Sequence, residues 1–245
     1  MFQTTFEAAG VQNANQTALC AANGSGTCKI GVESFDTRTS NTSFTTDFGT
    51  GGVINGTYTA VQINAADQYG GAGGTGKYAV AFSGTPYQVS LTTTLATGIN
   101  YFGFWLSALD SGNQVSFYNG STLVYTFTPT NLINALGSCS SSNAYCGNPT
   151  AAHLGQNSTQ LYAFVNFFDT TGTFNSVHFQ ESPANGGYES DNQTVGFVTS
   201  ESGTVVSIAE PASFALLAFA VAGFGMVHCG AAIRMRNHDR DAVMM

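Results

Sequence analysis

The chain is 245 residues long, with 8% charged and 12% aromatic residues, and carries a formal net charge of -8. Gly, Ser, Thr and Asn stand where a cytosolic enzyme has Lys and Glu, a composition that suits an extracellular β-protein, and the aromatic content is enough to fill a core. Only three bases, Lys29, Arg38 and Lys77, precede Pro211, against twelve acids from Glu7 to Glu210; such a body repels phosphate backbones, which excludes nucleic-acid binding.

Residues 1–30 read as an N-terminal extension. The opening "MFQTTFEAAGVQNANQ" has neither the basic start nor the apolar run of a signal peptide, so export needs a leader that this stretch does not supply. Cys20 and Cys28 bracket "AANGSGT", and Cys139 and Cys146 bracket "SSSNAY". Each polar spacer predicts a small local disulfide loop. Metal ligation is the competing reading, but the spacings exceed C-x2-4-C and no histidine lies close by. Two disulfides imply an oxidising compartment.

From 31 to 206 short alternating segments predict strands near "GVESF", "TYTAVQIN", "KYAVAFS", "YQVSLTTTL", "NYFGFWLSA", "NQVSFYN", "STLVYTFT", "LYAFVNFF", "FNSVHFQ" and "TVGFVT". Turn signals at "INGT", "SGTP", "LDSGNQ", "YNGS" and "DTTGT" separate several of them. One helix is expected from Pro129 to Leu136, capped by Thr128 or Thr130 and ended by Gly137. The fold class this predicts is all-β: an antiparallel two-sheet sandwich, jelly-roll-like.

Within the body, "GAGGTGKY" fits a phosphate-binding loop from Gly71 to Lys77 but puts Tyr78 where a small hydroxyl should hold magnesium, and strands rather than a helix follow. No nucleotide is expected; the segment reads as a loop between strands. Glu33 and Asp36 near the start, Glu189 and Asp191 near the end, and Asp67 before the glycines form two readings: a structural calcium site, if first and last strands are neighbours, or solvated turn carboxylates. No other cofactor is expected. Trp105, the single tryptophan, shares one strand face with Tyr101, opposite Phe102, Phe104 and Leu106. With Tyr118, these aromatics are candidates for stacking on a polysaccharide; core burial is the alternative for Trp105. G-x-S-x-G and H-E-x-x-H are both missing, and the body is read as non-catalytic.

The last segment, 207–245, is organised differently. Residues 214–233 are apolar or small except His228, and contain the fifth cysteine, Cys229. Twenty residues at about 1.5 Å each span the ~30 Å hydrocarbon layer, which predicts one transmembrane helix. Arg234, Arg236 and Arg240 follow, placing that end in the cytoplasm and the acidic body outside the inner membrane.

The order of these parts, Glu210-Pro211-Ala212-Ser213, then an apolar helix, then arginines, resembles the PEP-CTERM sorting signal of Gram-negative bacteria. Ala209 stands where the family usually has the first proline of Val-Pro-Glu-Pro. The resemblance implies recognition of Glu210 and Pro211 by an exosortase, a membrane-embedded cysteine peptidase-transpeptidase, and transfer of the body to the envelope surface. Pro211 keeps Glu210 out of helix and so holds the motif extended above the span. "DQYGGAGGTGKYAV", "YFGFWLSALDSGNQVSFYNG" and "GGYESDNQTVG" further resemble segments of PEP-CTERM proteins with a carbohydrate-binding-like jelly-roll ectodomain. A structural or interaction protein of the surface or matrix is therefore expected first, a glycan-binding module delivered the same way second, and a secreted polysaccharide hydrolase third.

Overall fold

The computed structural model describes residues 1–21, 28–182 and 186–206. The motif Glu210–Ser213, the apolar run 214–233 and Arg234, Arg236 and Arg240 lie outside the described residues. Among the described residues no helix is long and apolar enough to cross a membrane.

Thirteen strands are described: β1 (Phe2–Phe6), β2 (Ile30–Glu33), β3 (Thr42–Thr46), β4 (Ile54–Ala65), β5 (Lys77–Phe82), β6 (Tyr87–Thr93), β7 (Tyr101–Leu109), β8 (Asn113–Asn119), β9 (Thr122–Phe127), β10 (Leu161–Asp169), β11 (Ser176–Glu181), β12 (Gly187–Gly196) and β13 (Thr204–Val205). Two short helices, α1 (Gln16–Cys20) and α2 (Thr130–Leu136), accompany them. All pairings are antiparallel, in the order β13-β1-β10-β7-β12-β5-β4-β6-β11-β8-β9, with β2 beside β12 and β3 beside β4. The described body is thus all-β, in one connected sheet.

The sheet curls at β4. Its first half, Ile54–Tyr58, pairs with β6, and its second half, Gln62–Ala65, pairs with β5. The flanks then face each other across an aromatic core. Phe104 of β7 meets Phe179 of β11 with ring centroids 5.2 Å apart, and Phe117 of β8 meets Phe167 of β10 at 5.2 Å. Phe2 of β1 stacks on Tyr125 of β9 at 4.5 Å, so the far strands touch through side chains. Each fully buried Phe contributes about 2–3 kcal/mol of transfer free energy.

Strands β7 and β10 are buried along their whole length, which is why "YFGFWLSAL" and "LYAFVNFFD" are nearly continuous apolar runs. Their second face is covered by the segment after β1, where Val11, Ala14 and Leu19 pack on Trp105, Tyr101 and their neighbours.

Several expectations change. The stretch read as an extension contains β1, whose register with β10 runs from Phe2–Asp169 to Phe6–Val165; five residues with a Gln-Thr-Thr centre give too little alternation to read. "INGT" is not a turn but the start of β4. Gly56 there is needed for close approach: a Cβ would stand 2.7 Å from the Phe48 ring. Helix α2 is present and ends at Gly137, but Pro129 occupies its N-cap and no side chain caps it, correcting Thr128 and Thr130. Both cysteine pairs are bonded, Cys20 to Cys28 and Cys139 to Cys146.

Candidate functional site

Strand β12 begins well before "TVGFVT", because "YESDN" is strand rather than turn. Alternation sends Tyr188 and Ser190 into the core and Glu189 and Asp191 to the opposite face. On the inner side Ser190, Tyr87, Gln193 and Tyr58 form a closed polar cluster: Tyr58 donates to Gln193 at 2.7 Å, and Gln193 donates to Tyr87 at 2.8 Å and to Ser190 at 3.0 Å.

On the outer side the glycine-rich loop lies over the sheet. Gly71 and Gly73 adopt positive φ, which only glycine does at low cost, and this turns successive amides toward carboxylates. Ala72 N–H donates to Asp191 at 2.7 Å, and Lys77 N–H donates to Asp36 at 3.0 Å. Tyr69 N–H and Gly70 N–H donate to Asp67 at 2.8 and 3.2 Å. A segment resembling a phosphate loop therefore spends several of its amides on the protein's own carboxylates, and Gly73 N–H on the side-chain oxygen of Gln12 at 2.6 Å.

The five carboxylates considered for calcium separate into individually satisfied groups and one exception. Strands β2 and β12 are indeed neighbours, with Glu33 opposite Gln193. Yet Glu33 accepts from Phe35 N–H at 2.8 Å and pairs with Arg38, and Asp36, Asp67 and Asp191 accept the amides just named. Among the described residues no three carboxylate, His or Cys groups are placed to hold a metal ion. The donors belong to different turns, so the first-and-last adjacency does not converge the oxygens.

The exception is Glu189. The residue is 6% exposed, and among the described residues no other residue donates a hydrogen bond to its carboxyl; its own backbone N–H is its partner. Burial pushes its pKa up to about 8, and the charges of Asp110, Asp67 and Glu181 push the same way. Asp191, also buried, is pushed up to about 7, its amide donors opposing the rise. Beside Glu189 in the ladder stands Ser107 of β7, whose buried Oγ has no hydrogen-bond partner.

Glu189 lines an open cleft of about 580 Å³, with Asn64 and Tyr78 of β4 and β5 on its floor and Asp67, Tyr69, Asp110 and Gln160 around it. Tyr78 donates to Asp67 at 3.2 Å, fixing the loop that carries Tyr69. Tyr69 is 41% exposed at the rim. Gly70 allows this: a Cβ there would stand 2.7 Å from the Tyr78 ring. Among the described residues no Lys, Arg or His lines the cleft, and Lys77 turns away to donate from Nζ to the Arg38 carbonyl at 2.8 Å.

The aromatics expected to stack on glycans lie elsewhere. Trp105 and Tyr101 are fully buried: the strand face was assigned correctly, but residues 8–20 cover it. Tyr101 donates to Asn166 at 2.8 Å. Tyr118 is half-buried against His178, ring centroids 4.4 Å apart. Sequence reasoning missed Tyr69, Asp110, Asn64 and Gln160. Of these only Tyr69 carries a signal, an aromatic isolated among glycines and an Asp.

No protein-family model and no curated protein matches this chain. Among solved structures, a cleaved adhesin domain of Lys-gingipain aligns at 15% identity over 69% of this chain and 98% of that one, with a TM-score of 0.35.

Proposed function

We propose that this chain is an exported surface or extracellular-matrix protein with an interaction rather than a catalytic role. The observation that carries this is the pair of closed disulfides, Cys20–Cys28 and Cys139–Cys146, in a body with three bases before Pro211. Disulfides persist in oxidising compartments, and the apolar run at 214–233 with its arginines supplies a route there. In this reading an exosortase recognises Glu210-Pro211-Ala212-Ser213 while the apolar helix sits in the inner membrane, and cleavage passes the body to the envelope. The curl of the sheet about β4 is read as the two layers of a jelly-roll-like ectodomain, supported by the facing rings of β7, β10, β8 and β11.

Mass spectrometry of the mature protein from its native host tests the sorting: no peptide beyond about Ser213 is expected. An intact C-terminus ending in Met245 in the mature pool overturns it.

A second reading, polysaccharide binding, is favoured by one observation. An exposed ring, Tyr69, stands beside carboxylates and amides at the mouth of a cleft, a combination that stacks on a sugar face and bonds its hydroxyls. The site is this cleft, not the strand of Trp105. Retention of the full chain on immobilised polysaccharide, lost in Tyr69→Ala, is the expected result; retention unchanged in that variant removes the cleft from the account.

A further inference from the structure

We infer that the cleft between the Asp67–Gly70 turn and β12 takes an amino sugar, its ammonium received by Glu189 and its ring laid on Tyr69. The inference rests on the polysaccharide-binding reading and narrows it to a cationic sugar.

Three observations converge. The first is the buried carboxyl of Glu189, which lines the cleft and, among the described residues, accepts only from its own backbone N–H. Buried polar groups are nearly always satisfied, and one that is not calls for an explanation. The neighbouring Ser107 Oγ is buried with no hydrogen-bond partner at all. The second is charge. The described groups whose charges act on Glu189 are Asp110 after β7, Asp67 of the loop and Glu181 of β11, all acidic, and among the described residues no base lines the cleft. A positive ligand relieves that field; an acidic or sulfated sugar adds to it. The third is shape. At about 580 Å³ the cleft is of ligand size, whereas among the described residues no three acidic groups converge on a point as a bare ion needs. A cation carried on a ring satisfies both: three N–H donors at one end and an apolar face for Tyr69 at the other. Asn64 and Gln160 remain for the hydroxyls.

Binding therefore couples to a proton. With its pKa raised to about 8 by burial, Glu189 is mostly protonated in the empty cleft at neutral pH, and an ammonium that binds there as an ion pair with the carboxylate releases that proton to solvent. Proton release on binding is the signature that a merely hydrophobic cleft does not give.

The test is calorimetry on the full chain with disulfides intact, near neutral pH. The probes are a glucosamine tetramer, the same tetramer N-acetylated, and a tetralysine peptide. The glucosamine tetramer is expected to bind at least about tenfold more tightly than the acetylated one, as a charge-assisted hydrogen bond implies, with a heat that depends on the buffer's ionisation enthalpy. Glu189→Gln is expected to erase the preference and the proton release. Tyr69→Ala, at an exposed position, is expected to weaken the glucosamine tetramer at least about tenfold without touching the core, so the proposal does not depend on one variant folding. Equal binding of both tetramers overturns the amino-sugar inference and leaves polysaccharide binding standing. Binding of neither tetramer overturns both. Tetralysine bound as tightly as the glucosamine tetramer overturns the sugar in favour of a basic peptide.

Discussion

Replacing Glu189 by Gln is expected to stabilise the protein at alkaline pH and to leave it unchanged in acid. Burial, reinforced by Asp110, Asp67 and Glu181, lifts this carboxyl from its ordinary 4.5 to about 8. In the unfolded chain it regains its ordinary value. Between those two pH values the folded protein holds a proton that the unfolded chain has released. The contribution of this carboxyl to stability is therefore greatest below about pH 4.5, declines as pH rises, and levels off above about pH 8. Each tenfold change in proton affinity corresponds to about 1.4 kcal/mol, so the full displacement corresponds to on the order of 4–5 kcal/mol. Gln has the same shape and no charge to bury. Asp191, pushed up to about 7, tilts the curve the same way in both proteins and cancels from the difference. The assay is urea unfolding with disulfides intact, across a pH series. The variant's advantage is expected to be near zero at about pH 4 and to grow by about 1.4 kcal/mol per pH unit up to about pH 8. A difference that does not change with pH, or a wild type more stable than the variant at about pH 8, refutes the reasoning.

Two further outcomes follow from the packing and the crosslinks. Trp105→Ala, at a position with no exposure and with Tyr162 at 6.0 Å between ring centroids, is expected to lose about 3–5 kcal/mol in the same unfolding assay; a loss below about 1 kcal/mol shows that the segment over β7 does not hold the ring. Replacing Cys139 and Cys146 together by Ser opens a loop with a sequence separation of 7 and is expected to lower stability by about 2–3 kcal/mol, read as a reduced urea midpoint with unchanged slope.

The strands were legible where alternation or a long apolar run is strong. "NQVSFYN" corresponds to β8 residue for residue, and "LYAFVNFF" to all but the last residue of β10. The faces of β7 were legible too, since Phe102, Phe104 and Leu106 do fill the core. What was not legible is which faces a distant segment covers. Trp105 is buried by residues near the N-terminus, and no local pattern around it says so. "YESDN" reads as a turn by composition, yet it is central strand because Asp191 is held by an amide of the glycine loop and Asn192 takes a positive φ at a bulge. The same long-range dependence hid the cleft. Asp67 and Glu189 were both singled out, but Asn64, Asp110 and Gln160 join them only through pairing between strands far apart in the chain.

The register of the first strand has a consequence for folding. Phe2 lies opposite Asp169, so a chain that folds as it is made brings β1 to its ladder partner only after most of the body has followed. Until then the Phe-rich strands between them stand open along an unzipped seam, while the two short cysteine loops can close at once. Closing that seam costs the entropy of a long loop, and pairing of this sequence separation slows folding.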